Sequence, residues 1–166
     1  REAGKLPEGY EYRLPTDAEL EYAGRAGTLT LTCFGETLNS QQANFDGRQP
    51  FNGADEGPNL GRSAEVGSYP ANAWGLHDTL GNLSEWCLDW YHAESIGGND
   101  PVQWLPPPER RIAERVVRGG CHSRAGRYCR STNRYRELPE NGGSLTGFRI
   151  VLSKLHLDGF HKLTDR

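Results

Sequence analysis

Between Trp74 and Tyr91 the chain reads WGLHDTLGNLSEWCLDWY, which crowds Asp78, Asn82, Glu85 and Asp89 among three tryptophans, Trp74, Trp86 and Trp90. Carboxylates beside so much apolar bulk need hydrogen bonds or a cation as partners. Gly81 sits between Asp78 and Glu85 and can take a positive φ at little steric cost. A turn built there can aim both carboxylates and its own carbonyls at one point. That is the donor set of a hard cation such as calcium, which takes about six to eight oxygens at about 2.3–2.6 Å. No EF-hand order is present, and an Asx-type turn with solvated acids fits the same spacing.

The second set of reactive groups is sulfur. The four cysteines are Cys33, Cys87, Cys121 and Cys129. They are too few for a disulfide scaffold at this length, and full pairing would allow three connectivities. Cys121 and Cys129 stand among Arg124, Arg127 and Arg130, cations of the kind that lower a thiol's pKa. Arg134 and Arg136 extend the basic run, with Tyr128 and Tyr135 interleaved. Such a pattern suits single-stranded nucleic acid. The net charge of −3, from 19 basic and 22 acidic residues, argues instead for a loop whose arginines pair with nearby acids and stack on aromatics. His156 and His161 are spaced for a metal pair, but exposed tail histidines are the expectation.

The elements that would position these groups are few. At 166 residues the chain fits one domain, loop-rich because 21 glycines and 10 prolines interrupt it. No apolar run reaches the roughly 18 residues of a membrane helix, and no signal peptide is visible. A chain opening at Arg1 with no methionine reads as a fragment or processed piece. Residues 1–12 read as a polar tail. Thr16 and Glu19 form a capping box for a helix from Asp17 to about Ala26, with Gly27 as its C-terminal cap. Alternation predicts strands at Thr28–Phe34 and Leu83–Tyr91, and shorter ones at Arg115–Arg118 and Phe148–Leu152. From Glu36 to Tyr69 no period exists. A loop that long is functional or held by something else, and Asn44, Asp46, Asp55 and Glu56 offer oxygens for a second ion if they are not simply solvated. Residues 92–114 form another loop, and 153–166 read as a short helix or disorder.

Taken in order, RLPTDAELEYAGRAG, VGSYPANAWGLHDTLGNLSEWCLDWY, RVVRGG and GFRIVL resemble the formylglycine-generating enzyme family, the sulfatase-modifying factor domains, over about residues 10–152. The resemblance implies an α+β fold of the C-type-lectin type, loop-rich and low in regular structure. It places the domain at 1–154 and a tail at 155–166, with the family's N-terminal portion missing. It implies a calcium site made by the Asp78 side chain, the Gly81 and Leu83 carbonyls and the Glu85 side chain. A second site would use Asn44 and the Phe45 carbonyl, though Pro58 falls where the family has an aspartate.

Catalytic members resemble one another in a cysteine pair, four residues apart, that binds copper(I), a soft ion suited to sulfur. The counterparts in this chain are Cys121 and Cys129, with seven residues between them. Ser84 replaces a pocket tryptophan, and Cys121 takes the place of a serine. The expectation is therefore a calcium-stabilised, non-catalytic module that binds a protein or peptide through the 121–146 segment, and neither nucleic acid nor membrane. The binding residues would be His122, Arg124, Arg127, Tyr128, Arg130, Asn133, Tyr135 and Asn141, types suited to recognition. Some relatives of this fold carry segments diversified by retroelements, and others are appended to bacterial kinases. The alternative is a copper-dependent oxidase that converts a peptide cysteine to formylglycine, with Cys121 and Cys129 catalytic.

Overall fold

The structure is a computed structural model that describes residues 6–99, 101–109 and 111–155. Regular structure is sparse and its elements are short. Strand β1 (Tyr10–Arg13) precedes helix α1 (Asp17–Arg25), and β2 (Ser84–Trp90) follows after a long irregular stretch. Then come β3 (Arg115–Arg118), a 3-10 turn (Gly126–Cys129), β4 (Arg134–Glu137), β5 (Thr146–Gly147) and β6 (Val151–Lys154). The architecture is a loop-rich α+β arrangement of two small sheets.

Helix α1 begins where its capping box predicts. The Thr16 hydroxyl accepts from the Glu19 amide at 3.1 Å, and the Glu19 carboxylate accepts from the Thr16 amide at 2.8 Å. The helix ends one residue earlier than expected, because Ala26 itself adopts the left-handed conformation at φ 48°. Its amide donates to the Tyr22 carbonyl, as an αL cap requires.

The larger sheet runs β4-β3-β2-β5. The β2–β3 and β3–β4 pairs are antiparallel and the β2–β5 pair is parallel. β2 is therefore central, as its alternation predicted. The smaller sheet pairs β1 with β6, Tyr10 opposite Lys154 and Arg13 opposite Val151. This corrects two expectations. The polar segment before the helix supplies a strand, and the C-terminal strand is centred on Val151–Lys154 rather than Phe148–Leu152. Phe148 and Ile150 stay exposed outside any strand. Thr28–Phe34 is no strand either. Leu29 is 98% exposed, and only an isolated bridge joins Thr32 to Gly35. Alternation there reflects local turns in which the Thr32 hydroxyl accepts from the Phe34 amide and donates to Gly35. Residues 156–166, with His156 and His161, lie outside the described residues.

Two apolar clusters make the core. One holds Leu20, Cys87 and Val116 with Tyr91 beside them, and so joins α1 to the larger sheet. The other holds Leu38, Ala43, Phe45, Leu80 and Cys129, with Cys33, Phe34 and Phe51 packed against it. The second cluster lies under the long 36–69 segment, which is pinned by polar clips rather than by regular structure. The Asn44 carbonyl accepts from the Asn82 amide at 2.7 Å. The Asn44 side-chain amide donates to the Arg62 carbonyl and to Asn82 Oδ1, and Asn82 Oδ1 also accepts from the Ala64 amide.

Candidate functional site

Three groups of polar side chains stand out, and they do different jobs. The first surrounds Asp78 and Glu85 at the start of β2. Both line one cavity of about 350 Å³ with His77, Asn82, Leu83 and Arg149. Gly81 has φ 76°, and a Cβ there would lie 2.5 Å from the Asn44 carbonyl oxygen, so the turn requires glycine. The carboxylates, however, already have partners. Arg149 Nε and Nη2 donate to the two Glu85 oxygens at 2.5 and 2.6 Å, and Nη2 also donates to the His77 carbonyl. Asp78 Oδ2 accepts from the Gly67 amide at 2.8 Å. Burial pushes the Glu85 carboxyl up from its ordinary value against the pull of Arg149. At the place where the resemblance implies calcium held by Asp78, Gly81, Leu83 and Glu85, Arg149 thus supplies the positive charge that Glu85 needs.

Of the residues expected at a second ion, Asn44 donates through its side-chain nitrogen within its clip, and Phe45 is buried in the core. Asp46 is held by Arg48 and Gln49, while Asp55 and Glu56 are exposed.

The second group lies between α1 and the larger sheet. Arg118, 5% exposed, donates to Asp17, to Glu21 at 2.7 Å and to the Ser131 carbonyl. Arg134 Nε meets the other Asp17 oxygen at 2.6 Å. Asp89 accepts from the amides of Asp17 and Gln103. These groups line a cavity of about 400 Å³, but the acids and bases neutralise one another. Its chemistry is that of a structural ion network.

The third group is the 121–146 segment. Gly119 and Gly120, at φ 90° and 74°, turn the chain out of β3 and deliver Cys121 to the floor of a small pocket. Ser84, Val117, Cys121, Arg124, Tyr128, Asn133, Tyr135, Glu137, Leu145 and Thr146 line it, with a volume of about 50 Å³. Cys121 Sγ lies 3.5 Å from Ser123 Oγ. Cys129 is not on this wall. It is wholly buried in the core, and its thiol is pushed up to about 12 by that burial, with the neighbouring Cys121 adding to the effect. The expected lowering of this thiol by Arg124, Arg127 and Arg130 is thus overturned: those guanidiniums face tyrosine and phenylalanine rings instead. Copper(I) needs two thiolates to converge on it. Cys129 is sealed in the core, so that core would have to open for the two sulfurs to share an ion.

Of the expected binding residues, Arg124, Tyr128, Asn133 and Tyr135 do share the pocket. Arg127 stacks on Tyr128 beside it, and Arg130 lies over Phe51. Asn141 is exposed and donates to Glu137 at 2.7 Å. His122 is a correction. It is 7% exposed, its amide is tied to the Asn82 carbonyl, and its Nδ1 has no hydrogen-bond partner. It belongs to the interior and not to a displayed face. Ser84, which stands in place of a pocket tryptophan, does line it, and sequence reading missed Val117, Glu137, Leu145 and Thr146 as the other walls. They arrive through the β2–β5 and β3–β4 pairings, which no local period announces.

Residues 1–154 match the model of the sulfatase-modifying factor enzyme 1-like domain. The chain is 37% identical over 141 residues to the serine/threonine-protein kinase pkn1 of Chlamydia caviae, covering 84% of this chain and 21% of the kinase. It is 33% identical over 159 residues to the formylglycine-generating enzyme of Thermomonospora curvata, covering 86% of this chain and 50% of that protein. The chain thus spans at most about half of these relatives. Among solved structures, PvdO from Pseudomonas aeruginosa superposes with a TM-score of 0.68 at 30% identity, covering 89% of this chain and 54% of that one. Treponema denticola variable protein 1 superposes with a TM-score of 0.66 at 29% identity, over 87% and 48%.

Proposed function

The chain belongs to the sulfatase-modifying factor family, and we propose that within it this domain, on a scaffold of the C-type-lectin type, is a non-catalytic binding module. Its ligand would be a protein or peptide segment held at the 121–146 face. One observation carries the reading. The cysteine that would complete a catalytic pair, Cys129, is wholly buried in the core, which pushes its thiol up, while the segment around it builds a pocket lined by tyrosine, arginine and asparagine. Tyrosine offers large contact area at low entropic cost, and arginine and asparagine add adaptable hydrogen bonding.

The relatives are compatible with this. One is a kinase of which the matching part is a fifth, as an appended recognition domain would be. Another is named a variable protein, as a displayed loop surface would be.

A second reading, a copper-dependent oxidase of peptide cysteines, draws on the closeness of Cys121 to Cys129. It would need the core around Cys129 to open.

The test is selection from a random-peptide library against the folded domain, with Tyr135→Ala as counter-target. Tyr135 is 47% exposed, so its loss leaves the fold intact. Peptides that bind the wild type and not the variant support the reading. A library that yields none, or only peptides indifferent to Tyr135, contradicts it.

A further inference from the structure

The arginines of the 121–146 segment divide into two kinds. Arg134 and Arg136 have carboxylate partners, in Asp17 at 2.6 Å and Glu114 at 3.2 Å. Arg124, Arg127 and Arg130 have none among the described residues. The expected pairing with acids thus holds for Arg134 and Arg136, and the expected stacking on aromatics for all five arginines.

All three are held on aromatic faces. Arg124 lies 5.8 Å from the Tyr128 ring centre and 5.1 Å from that of Tyr135. Arg127 lies 4.7 Å over Tyr128, and Arg130 lies 5.9 Å from Phe51. Stacking of this kind orients a guanidinium without using its N–H groups. Each guanidinium has five such donors. Arg127 spends one on the Tyr128 hydroxyl at 3.2 Å, Arg130 spends one on the Arg127 carbonyl at 2.9 Å, and among the described residues the Arg124 side chain has no hydrogen-bond partner. The Tyr128 phenol is drawn below its ordinary value, first by the hydrogen bond from Arg127 and then by the charges of Arg127 and Arg124.

A protein of net charge −3 has thus gathered three oriented, uncompensated cations beside its recognition pocket. We propose that the ligand of this face is an acidic peptide segment, whose carboxylates take the free forks of Arg124, Arg127 and Arg130. Carboxylate and guanidinium are matched bidentate partners. The inference rests on the binding-module reading and specifies its ligand. Glu137 and the exposed Glu140 follow the patch along the chain, which limits an acidic ligand to a short segment and disfavours a long polyanion such as nucleic acid.

The experiment is fluorescence anisotropy with three labelled probes, hexaglutamate, hexaglutamine and hexathymidylate, against the wild type and Arg124→Gln/Arg127→Gln/Arg130→Gln. Hexaglutamate should bind, and hexaglutamine should not. Binding should weaken at least about tenfold in the triple variant and fall steeply as salt rises from about 0.05 M to about 0.3 M. Should the triple variant fail to fold, the exposed single change Arg127→Gln gives the same readout, at about threefold.

No binding of hexaglutamate, equal binding by the variants, or tighter binding of hexathymidylate would each overturn the proposal. Library peptides that require Tyr135 but carry no excess of aspartate or glutamate would also overturn it, while leaving the binding-module reading standing. A library with no Tyr135-dependent peptides would remove both.

Discussion

Arg149 grips both carboxylate oxygens of Glu85, at 2.5 and 2.6 Å, from just beyond β5, which runs parallel to β2. The pair is largely buried, with 24% and 13% of the side chains exposed. Removing one member strands the other charge, so Arg149→Met should cost about 3 kcal/mol. Because the guanidinium takes the role of a cation, melting curves with excess chelator and with added calcium should superpose. A melting temperature raised by calcium would show that the ion displaces Arg149.

Asp17 binds two arginines at once, Arg118 and Arg134, and so ties α1 to β3 and β4. Asp17→Ala leaves two inward-facing guanidiniums short of a partner and should cost about 3 kcal/mol in a urea melt. Adding Arg118→Met should recover part of that loss, because the buried charge and its missing partner then disappear together. Simple additivity of the two changes would mean that they do not communicate.

Gly120 lies directly over the buried thiol. A Cβ there would come 2.7 Å from Cys129 Sγ and 2.9 Å from the Tyr128 carbonyl oxygen, at φ 74°. Gly120→Ala should therefore destabilise by at least about 2 kcal/mol. It should also raise the reactivity of Cys129 toward a thiol reagent, which is otherwise suppressed. A variant as stable and as unreactive as the wild type would mean that this packing is loose.

The Asp46 carboxyl is drawn down to about 2, chiefly by the Arg48 guanidinium beside it. Its unfolded value is near about 3.9. A depressed carboxyl stabilises the fold above its unfolded pKa, and that contribution fades as pH falls toward the folded value. The acid limb between about pH 4 and about pH 2 should accordingly be shallower in Asp46→Asn than in the wild type. Identical limbs would show that the Arg48 contact is absent in solution.

What was legible in the sequence was what is local. The capping box at Thr16 and Glu19, the alternation of β2 and the apolar centre of β3 each lie within a few residues, and each formed where expected. The family followed from four ordered segments, and residues 1–154 match its model. The partners of the charged residues were not legible. Arg149 meets Glu85 and Arg118 meets Asp17 across 64 and 101 positions, and nothing in either neighbourhood marks the pairing. The same applies to Cys129. Its arginine-rich surroundings read as an activating field, but the 3-10 turn points the thiol into the core while the guanidiniums stay outside. Thr28–Phe34 shows the opposite error. Its threonines alternate as in a strand, yet they serve local hydroxyl turns, because no neighbouring strand pairs with them there.

The central claim is that this domain binds without catalysing, and a copper(I) titration of the reduced protein against a competing chelator tests it most directly. Cys121→Ser and Cys129→Ser are titrated alongside. With Cys129 sealed and protonated, no tight one-to-one site should form, and the three proteins should compete equally poorly. Tight one-to-one binding that is lost in both variants would bring the two thiolates together on one ion and contradict the account.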